Sequence, residues 1–303
     1  MATVFIDGEA GTTGLGIRDR LLRHAGVTLH SIAADKRKDL DTKRAILRAV
    51  DLVVLCLPDE AARDTVRLAA ELGPEAPKLL DASTAHRVAD GWTYGFAELE
   101  PEQVDAIRTA RAVSNPGCYA TGAIALLRPL VDAGLVPAGT PLTINAVSGY
   151  SGGGKTMIES HQSGGAPSFE LYGLTLQHKH VPEIMRYSGL TRRPLFVPSV
   201  GNFHQGMLVS VPLHLDELPG RPTVAAIRDA LTARYPAGGH VVASEAADGR
   251  LEAEALNDTN RMELRVFGNE GHRHAVLVAR LDNLGKGASA AAVQNLELML
   301  GLG

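Results

Sequence analysis

A short apolar strand that runs into three evenly spaced glycines and then a helix constrains this chain more than any other feature. Residues 3–7 form the apolar run, and Gly8-Glu-Ala-Gly11-Thr-Thr-Gly14 forms the turn. In the segment LGIRDRLLRHAG that follows, Leu15, Ile17, Leu21 and Leu22 recur at helical spacing, and Gly26 is placed to end the helix. Further strands are expected at 27–33, at 49–57 (closed by Pro58-Asp59), at 78–81 and at 112–114, with a helix at 61–72. Strand and helix alternate, which predicts a parallel sheet with helices on both faces.

The glycine turn is where such a sheet binds a dinucleotide. Without side chains the backbone can approach a pyrophosphate, and the helix N-terminus behind it stabilises the negative charge. The spacing G-x-x-G-x-x-G departs from the commoner G-x-G-x-x-G, but its place between strand and helix is right. Dinucleotide folds that take NAD usually carry an acid at the end of the second strand. Here that stretch reads Asp35-Lys36-Arg37-Lys38, mostly cationic, which suits a 2′-phosphate. NADP is therefore the expected cofactor, with Ser31 and Arg37 as its leading 2′-phosphate contacts.

Past residue 118 the texture changes to long β-rich runs at 142–147, 208–215, 262–268 and 274–281, the last two flanking the turn Asn269-Glu270-Gly271. This half is expected to be a mixed, mostly antiparallel sheet with a few helices. The C-terminal segment 289–300 places Val293, Leu296 and Leu300 on one helical face, so it is expected to fold back onto the first domain.

The chain has 303 residues, enough for two ordinary domains, and its 45% hydrophobic and 21% charged content is that of a globular protein. A formal charge of −4 gives no reason to expect nucleic acid or an anionic membrane as partner. The N-terminus lacks the basic and apolar regions of a signal peptide, and no apolar run reaches the roughly 20 residues of a membrane helix. With only Cys56 and Cys118, no disulfide framework is expected, and the cytoplasm is the expected location.

Chemistry concentrates at Ser114-Asn115-Pro116-Gly117-Cys118-Tyr119. The segment after it, with Ile124, Leu127, Leu130, Val131 and Leu135, describes one buried helical face. Cys118 thus opens a helix, where unpaired backbone N–H groups and the dipole favour thiolate over thiol. The alternative is a small buried hydrophobe, as free cysteines often are. Cys56, ending an apolar strand, is read as core or cofactor lining. His178-Lys179-His180-Val-Pro-Glu183 supplies two acid/base imidazoles, with Glu183 available to orient one of them or to meet substrate. No third ligand stands at sensible spacing, so no metal is expected. Arg87, after the strand ending at Asp81, can grip an anion bidentately or lie idle on the surface. Gly149-Tyr-Ser-Gly-Gly-Gly154-Lys155-Thr156 satisfies the P-loop pattern G-x-x-x-x-G-K-[ST]. Glycine and proline interrupt the helix after about two turns, and no strand offers a Mg²⁺-holding aspartate. A small anionic substrate or a nicotinamide amide suits this loop better than ATP.

The segments GEAGTTG, DKRKD, LPDEAA, DASTAHR, SNPGCYATGAI, AVSGYSGGGK, HKHVPE, PSVGNFHQGM and DNLGKGASAAAVQN together resemble the N-acetyl-γ-glutamyl-phosphate reductases, in their shorter form, within the aspartate-semialdehyde dehydrogenase superfamily. The resemblance implies an α/β fold of the glyceraldehyde-3-phosphate dehydrogenase type. Its Rossmann-type NADP-binding domain would span residues 1–117 and be completed by a C-terminal helix within 285–303. An α+β catalytic and dimerisation domain would take 118–284. It further implies NADPH-dependent reduction of an acyl phosphate to an aldehyde through a thioester on Cys118. His180, or else His178, would act as acid, and the Cys118 N–H and the Asn115 side chain would meet the oxyanion. Cofactor contacts are expected from Gly8, Gly11, Thr12, Thr13, Gly14, Ser31, Arg37, Lys38, Pro58, Ser83, Gly152 and Asn283, and substrate contacts from Arg87, Lys155 and Glu183. A homodimer or homotetramer is expected. The competing readings are a relative acting on aspartyl phosphate or another related acyl phosphate, and a non-catalytic NADP-binding protein.

Overall fold

The computed structural model describes residues 1–37, 39–245 and 249–302, which fall into two compact units. The first comprises Met1–Ala97, Pro101–Pro116 and Ala288–Gly303; the second comprises Glu98–Glu100 and Gly117–Gly287.

In the first unit the chain runs β1 (Ala2–Asp7), α1 (Thr12–Leu21), β2 (Val27–His30), α2 (Leu40–Ala49), β3 (Leu52–Leu55), α3 (Asp59–Ala70), β4 (Lys78–Asp81), β5 (Thr93–Tyr94), α4 (Gln103–Thr109) and β6 (Ala112–Ser114). All six strands pair in parallel, in the order β2-β1-β3-β4-β6-β5. Strand periodicity sorts the side chains between two covers. Val4, Ile6, Leu52 and Val54 pack with Ile17 of α1 and Ile107 of α4, while Phe5, Val53 and Leu55 pack with Leu47 of α2 and Ala62 and Leu68 of α3. The order reverses between β1 and β3, so the carboxyl ends of those strands, where Gly8 and Pro58 lie, form the switch point at which such sheets bind ligands.

One expectation needs correction here. Residues 49–57 were expected to be one strand, but Ala49 ends α2 and the strand begins at Leu52. Asp39 caps α2 by accepting the Thr42 N–H at 3.1 Å, and Ile46 and Leu47 share its apolar face. That face runs into the strand through Val50 without a polar break, which hides the boundary in the sequence.

The second unit contains α5 (Cys118–Asp132), β7 (Thr143–Gly149), α6 (Gly154–Gln162), β8 (Phe169–Leu171), α7 (Val181–Ser188), β9 (Leu195–Gly201), β10 (Met207–His214), α8 (Val224–Arg234), β11 (Val241–Ala243), β12 (Met262–Asn269) and β13 (His274–Leu281). Its seven-stranded sheet has the order β11-β12-β13-β10-β7-β9-β8, antiparallel except for the pairs β7–β9 and β11–β12. Helix α5 lies on one face and is buried almost all round. At Gly122 even a Cβ would come within 2.9 Å of Val209 Cγ2, so the helix sits directly on the sheet. The other face carries Val147, Leu208, Phe267, Val276 and Val278 around a groove of about 710 Å³. Glu98–Glu100 joins this unit because Glu98 holds the Lys286 ammonium at 2.7 and 2.9 Å and Glu100 meets Arg128 at 3.2 Å.

A π-helical turn at Gly285–Ser289 leads into α9 (Ala290–Leu300), whose Ala292, Leu296 and Met299 complete the first unit's core. No helix among the described residues is long and apolar enough to cross a membrane.

Candidate active site

Cys118 is the first residue of α5, and Gly117 precedes it as the N-cap in extended conformation. The cap has no side chain of its own. Instead the Gly117 N–H donates to Glu183 Oε2 at 3.1 Å, and the Gly117 carbonyl accepts both the Thr121 N–H and its hydroxyl at 2.9 Å. The turn that presents the sulfur is therefore fixed on both sides. Gly287 packs against Cys118 so closely that a Cβ there would lie 2.9 Å from the cysteine Cβ.

Around this helix start lies an aromatic cluster. The His178 ring sits 4.7 Å from that of His180, 5.0 Å from Phe196, 5.8 Å from Tyr172 and 5.9 Å from Tyr119. His178 Nδ1 accepts the His180 backbone N–H at 3.1 Å, which leaves the neutral ring's proton on Nε2. His180 is 5% exposed, and its Nε2 lies 3.9 Å from Glu183 Oε1. The carboxylate of Glu183 thus spans both the imidazole and the cap of the cysteine helix. Glu183 is 1% exposed, and its two contacts accord with the first of its two expected roles, orienting an imidazole.

Tyr119 and Tyr172 escaped the sequence reading. The Tyr172 hydroxyl donates to Tyr119 at 3.2 Å, and Tyr119 donates to the Ser199 carbonyl at 3.0 Å. Burial, joined by the negative charge of a Cys118 thiolate, raises both phenols, Tyr172 to about 12, so they stand beside the sulfur as neutral groups. Tyr119 follows the cysteine directly and was within reach of the sequence; nothing around Tyr172 signals its place.

Asn283, expected to touch cofactor, is 2% exposed, and its carboxamide accepts from Gly206 N at 2.8 Å and donates to Ser151 Oγ at 3.0 Å. It braces the loop that carries Gly152, and both Gly152 and Lys155 are exposed at the start of α6.

In the first unit, Gly8 has φ +93° and a Cβ there would fall 2.3 Å from the Cys56 carbonyl oxygen; at Gly14 it would fall 2.5 Å from the Gly8 carbonyl oxygen. Gly11 caps α1 without any side-chain hydrogen bond, leaving Thr12 and Thr13 at a bare helix N-terminus. These features fit a dinucleotide pyrophosphate. A cavity of about 420 Å³ opens beside the loop, lined by Gly8, Glu9, Ile32 and Arg37 among others. Ser31 and Arg37 both face the Glu9 carboxylate, at 3.1 and 3.3 Å. Lys38 lies outside the described residues. Pro58 is exposed at the start of α3, whereas the Ser83 hydroxyl donates to Asp81 at 2.8 Å within the interior. Arg87 donates through Nε to the Asn115 carbonyl at 3.0 Å. The Asn115 carboxamide donates one N–H to Ala288 O and accepts from Asn295, each at 3.1 Å, which ties it to the C-terminal helix. Cys56 is pushed up to about 12, by burial first and then by the Asp81 and Asp7 carboxylates.

Residues 3–107 match the model of the semialdehyde dehydrogenase NAD-binding domain, and residues 118–283 match that of the semialdehyde dehydrogenase dimerisation domain. N-acetyl-gamma-glutamyl-phosphate reductase 2 of Nostoc sp. is 50% identical over 314 residues, covering 99% of this chain and 97% of that protein. The N-acetyl-gamma-glutamyl-phosphate reductase of Mesorhizobium japonicum is 50% identical over 307 residues, covering 99% of each. The chain belongs to the N-acetyl-γ-glutamyl-phosphate reductase family. In fold it is similar to aspartate semialdehyde dehydrogenase II of Vibrio cholerae, with a TM-score of 0.74 at 16% identity over 99% of this chain and 98% of that one. Within the reductase family, the cysteine, the two histidines and Glu183 described above lie in the unit that matches the dimerisation domain.

Proposed function

We propose that the protein reduces N-acetyl-γ-glutamyl 5-phosphate to N-acetylglutamate 5-semialdehyde and phosphate, using NADPH, as a step of arginine biosynthesis. The observation that carries this reading is Cys118 at the first turn of α5, with its cap tied through Glu183 to His180. The reductases that share half of its sequence support the substrate.

The Cys118 thiolate attacks the acyl carbon, the carbon–oxygen bond to phosphate breaks, and inorganic phosphate leaves a thioester behind. An acyl phosphate is already activated, so the chain's work is alignment and charge stabilisation. The Cys118 N–H, at the first turn of α5, meets the tetrahedral oxyanion, and one such donor contributes about 3–4 kcal/mol. Arg87 and Lys155 bind the phosphate. Gly8, Gly11, Thr12, Thr13 and Gly14 would hold the cofactor pyrophosphate, and the chemistry NADPH would supply when bound is a hydride for the thioester carbon. His180 takes the Cys118 thiol proton before the attack and gives it back to sulfur when the carbon–sulfur bond breaks, Glu183 holding its ring. His178, its Nδ1 engaged by backbone, offers the alternative proton at Nε2.

The chain is proposed to work as a homodimer or homotetramer through the outer face of the second unit's sheet, where Phe169, Leu195 and Val276 stand 55%, 54% and 39% exposed. A cytoplasmic location is proposed with it, which two cysteines outside any disulfide support.

The test is the reverse reaction, run with NADP⁺, phosphate and either N-acetylglutamate semialdehyde or aspartate semialdehyde. The acetylated substrate should be preferred, and Cys118→Ser should lower turnover by about a thousandfold or more while NADPH binding persists. Preference for aspartate semialdehyde overturns the substrate; substantial turnover by Cys118→Ser overturns the thioester.

A further inference from the structure

The glycine loop carries a charged residue that the cofactor reading leaves without a role. Glu9 lies between Gly8 and Gly11, and its side chain is 20% exposed. Its Oε2 accepts the Ser31 hydroxyl at 3.1 Å and lies 3.8 Å from Arg18 Nε, while its Oε1 meets Arg37 at 3.3 Å. Ser31 and Arg37 are the two residues that the sequence assigns to a 2′-phosphate. In the structure both are engaged by an anion that belongs to the chain.

The neighbouring cavity of about 420 Å³ is lined by Gly8, Glu9, Ile32, Arg37 and Leu40, giving apolar walls for a purine and a charged rim. Three further charged residues line it, Asp7, Lys43 and Asp64. Lys43 is already paired with Asp7 at 2.9 Å, and Asp64 adds a third carboxylate beside Glu9 and Asp7. Glu9 is thus the carboxylate held on the phosphate-binding side chains themselves.

We propose that Glu9, by engaging the two side chains of the 2′-phosphate subsite, Ser31 and Arg37, sets the preference between NADP and NAD. A ribose diol can donate to this carboxylate where it lies. A 2′-phosphate is itself an anion with the same hydrogen-bonding chemistry, so it takes Ser31 and Arg37 only by displacing Glu9. Discrimination for NADP is consequently weaker than the cations at 36–38 suggest. The inference rests on the dinucleotide reading of the loop and adds the residue that tunes it.

Calorimetric titration with 2′,5′-ADP and with 5′-AMP isolates the subsite from the nicotinamide end. Glu9→Gln should tighten 2′,5′-ADP about fivefold at low salt and weaken 5′-AMP, whose ribose diol loses a charged acceptor, the gain for 2′,5′-ADP shrinking as salt is raised. Glu9→Ala should move 2′,5′-ADP in the same direction, and Arg37→Gln should weaken it alone. If Glu9→Gln and Glu9→Ala leave the ratio of the two affinities unmoved, or weaken 2′,5′-ADP, Glu9 supports the phosphate site and the proposal is wrong. If the wild-type chain binds neither nucleotide nor NADPH, the cofactor reading fails and takes this inference with it.

Discussion

The two cysteines of this chain show how far local surroundings set chemistry. Cys118 heads a helix; Cys56 follows β3 beside two carboxylates, and its thiol is pushed up to about 12. At pH 8, iodoacetamide should therefore modify one thiol per folded chain, at Cys118 by peptide mapping, and rapid modification of Cys56 would refute the assignment. The same shift has a stability consequence. A folded pKa raised above the ordinary thiol value near 9.0 gives stability that is complete below pH 9 and is lost as pH rises from 9 towards 12. At pH 10 the loss is on the order of 1 kcal/mol. Comparing urea midpoints at pH 8 and 10 in wild type and Cys56→Ala measures it, since the buried tyrosines push the same way in both proteins. An equal drop in the two would remove Cys56 from the account. At this scale the reactive types were legible: a cysteine at a helix start and histidines two apart announce their chemistry. The bracing contacts of Asn115 and Asn283 were not legible, because a polar residue looks the same in sequence whether it faces substrate or braces a neighbouring turn. Only burial and partner distances separate these cases.

Elements are held to their places by backbone as much as by side chains, and the glycine loop separates the two contributions. Gly8 combines φ +93° with a Cβ position 2.3 Å from backbone, whereas Gly11 has its nearest neighbour at 3.5 Å and no unusual φ. Gly8→Ala should cost about 2–4 kcal/mol in urea unfolding, because β1 and the Cys56 strand end must part; Gly11→Ala should cost under about 1 kcal/mol. Equal effects would mean that the loop relaxes freely. The alternation of strands and helices was readable because buried parallel strands are short apolar runs closed by turn residues. Helix α2 was not, since its apolar face continues into the following strand through Val50. The P-loop pattern at 149–156 shows a different limit. A glycine run followed by lysine specifies a turn and a helix start, and here they follow β7, whose partners are one parallel and one antiparallel strand, rather than the parallel setting of a nucleotide-binding P-loop.

For the whole molecule the open question is what covers the outer face of the seven-stranded sheet. Alternating strands normally turn one face to the core and one to water. Here Val147, Leu208, Phe267, Val276 and Val278 make the second face apolar as well, around a groove of about 710 Å³. The alternation predicted strands, but a strand apolar on both faces reads like a run buried within one chain, so the surface stayed hidden until the topology was known. A face of this kind pairs most economically with its own copy about a two-fold axis, and residues 118–283 match a dimerisation domain. Leu208, half-buried on β10 at the centre of the sheet, is the position where a charge would be most costly once the face is covered. Sedimentation equilibrium at micromolar concentration should find at least a dimer for the wild-type chain. Leu208→Lys should lower the mass by a factor of two or more while circular dichroism and NADPH binding stay as they were. A wild-type monomer would show that the exposed face has another use, and a Leu208→Lys protein that keeps its full mass would move the subunit contact to a different surface.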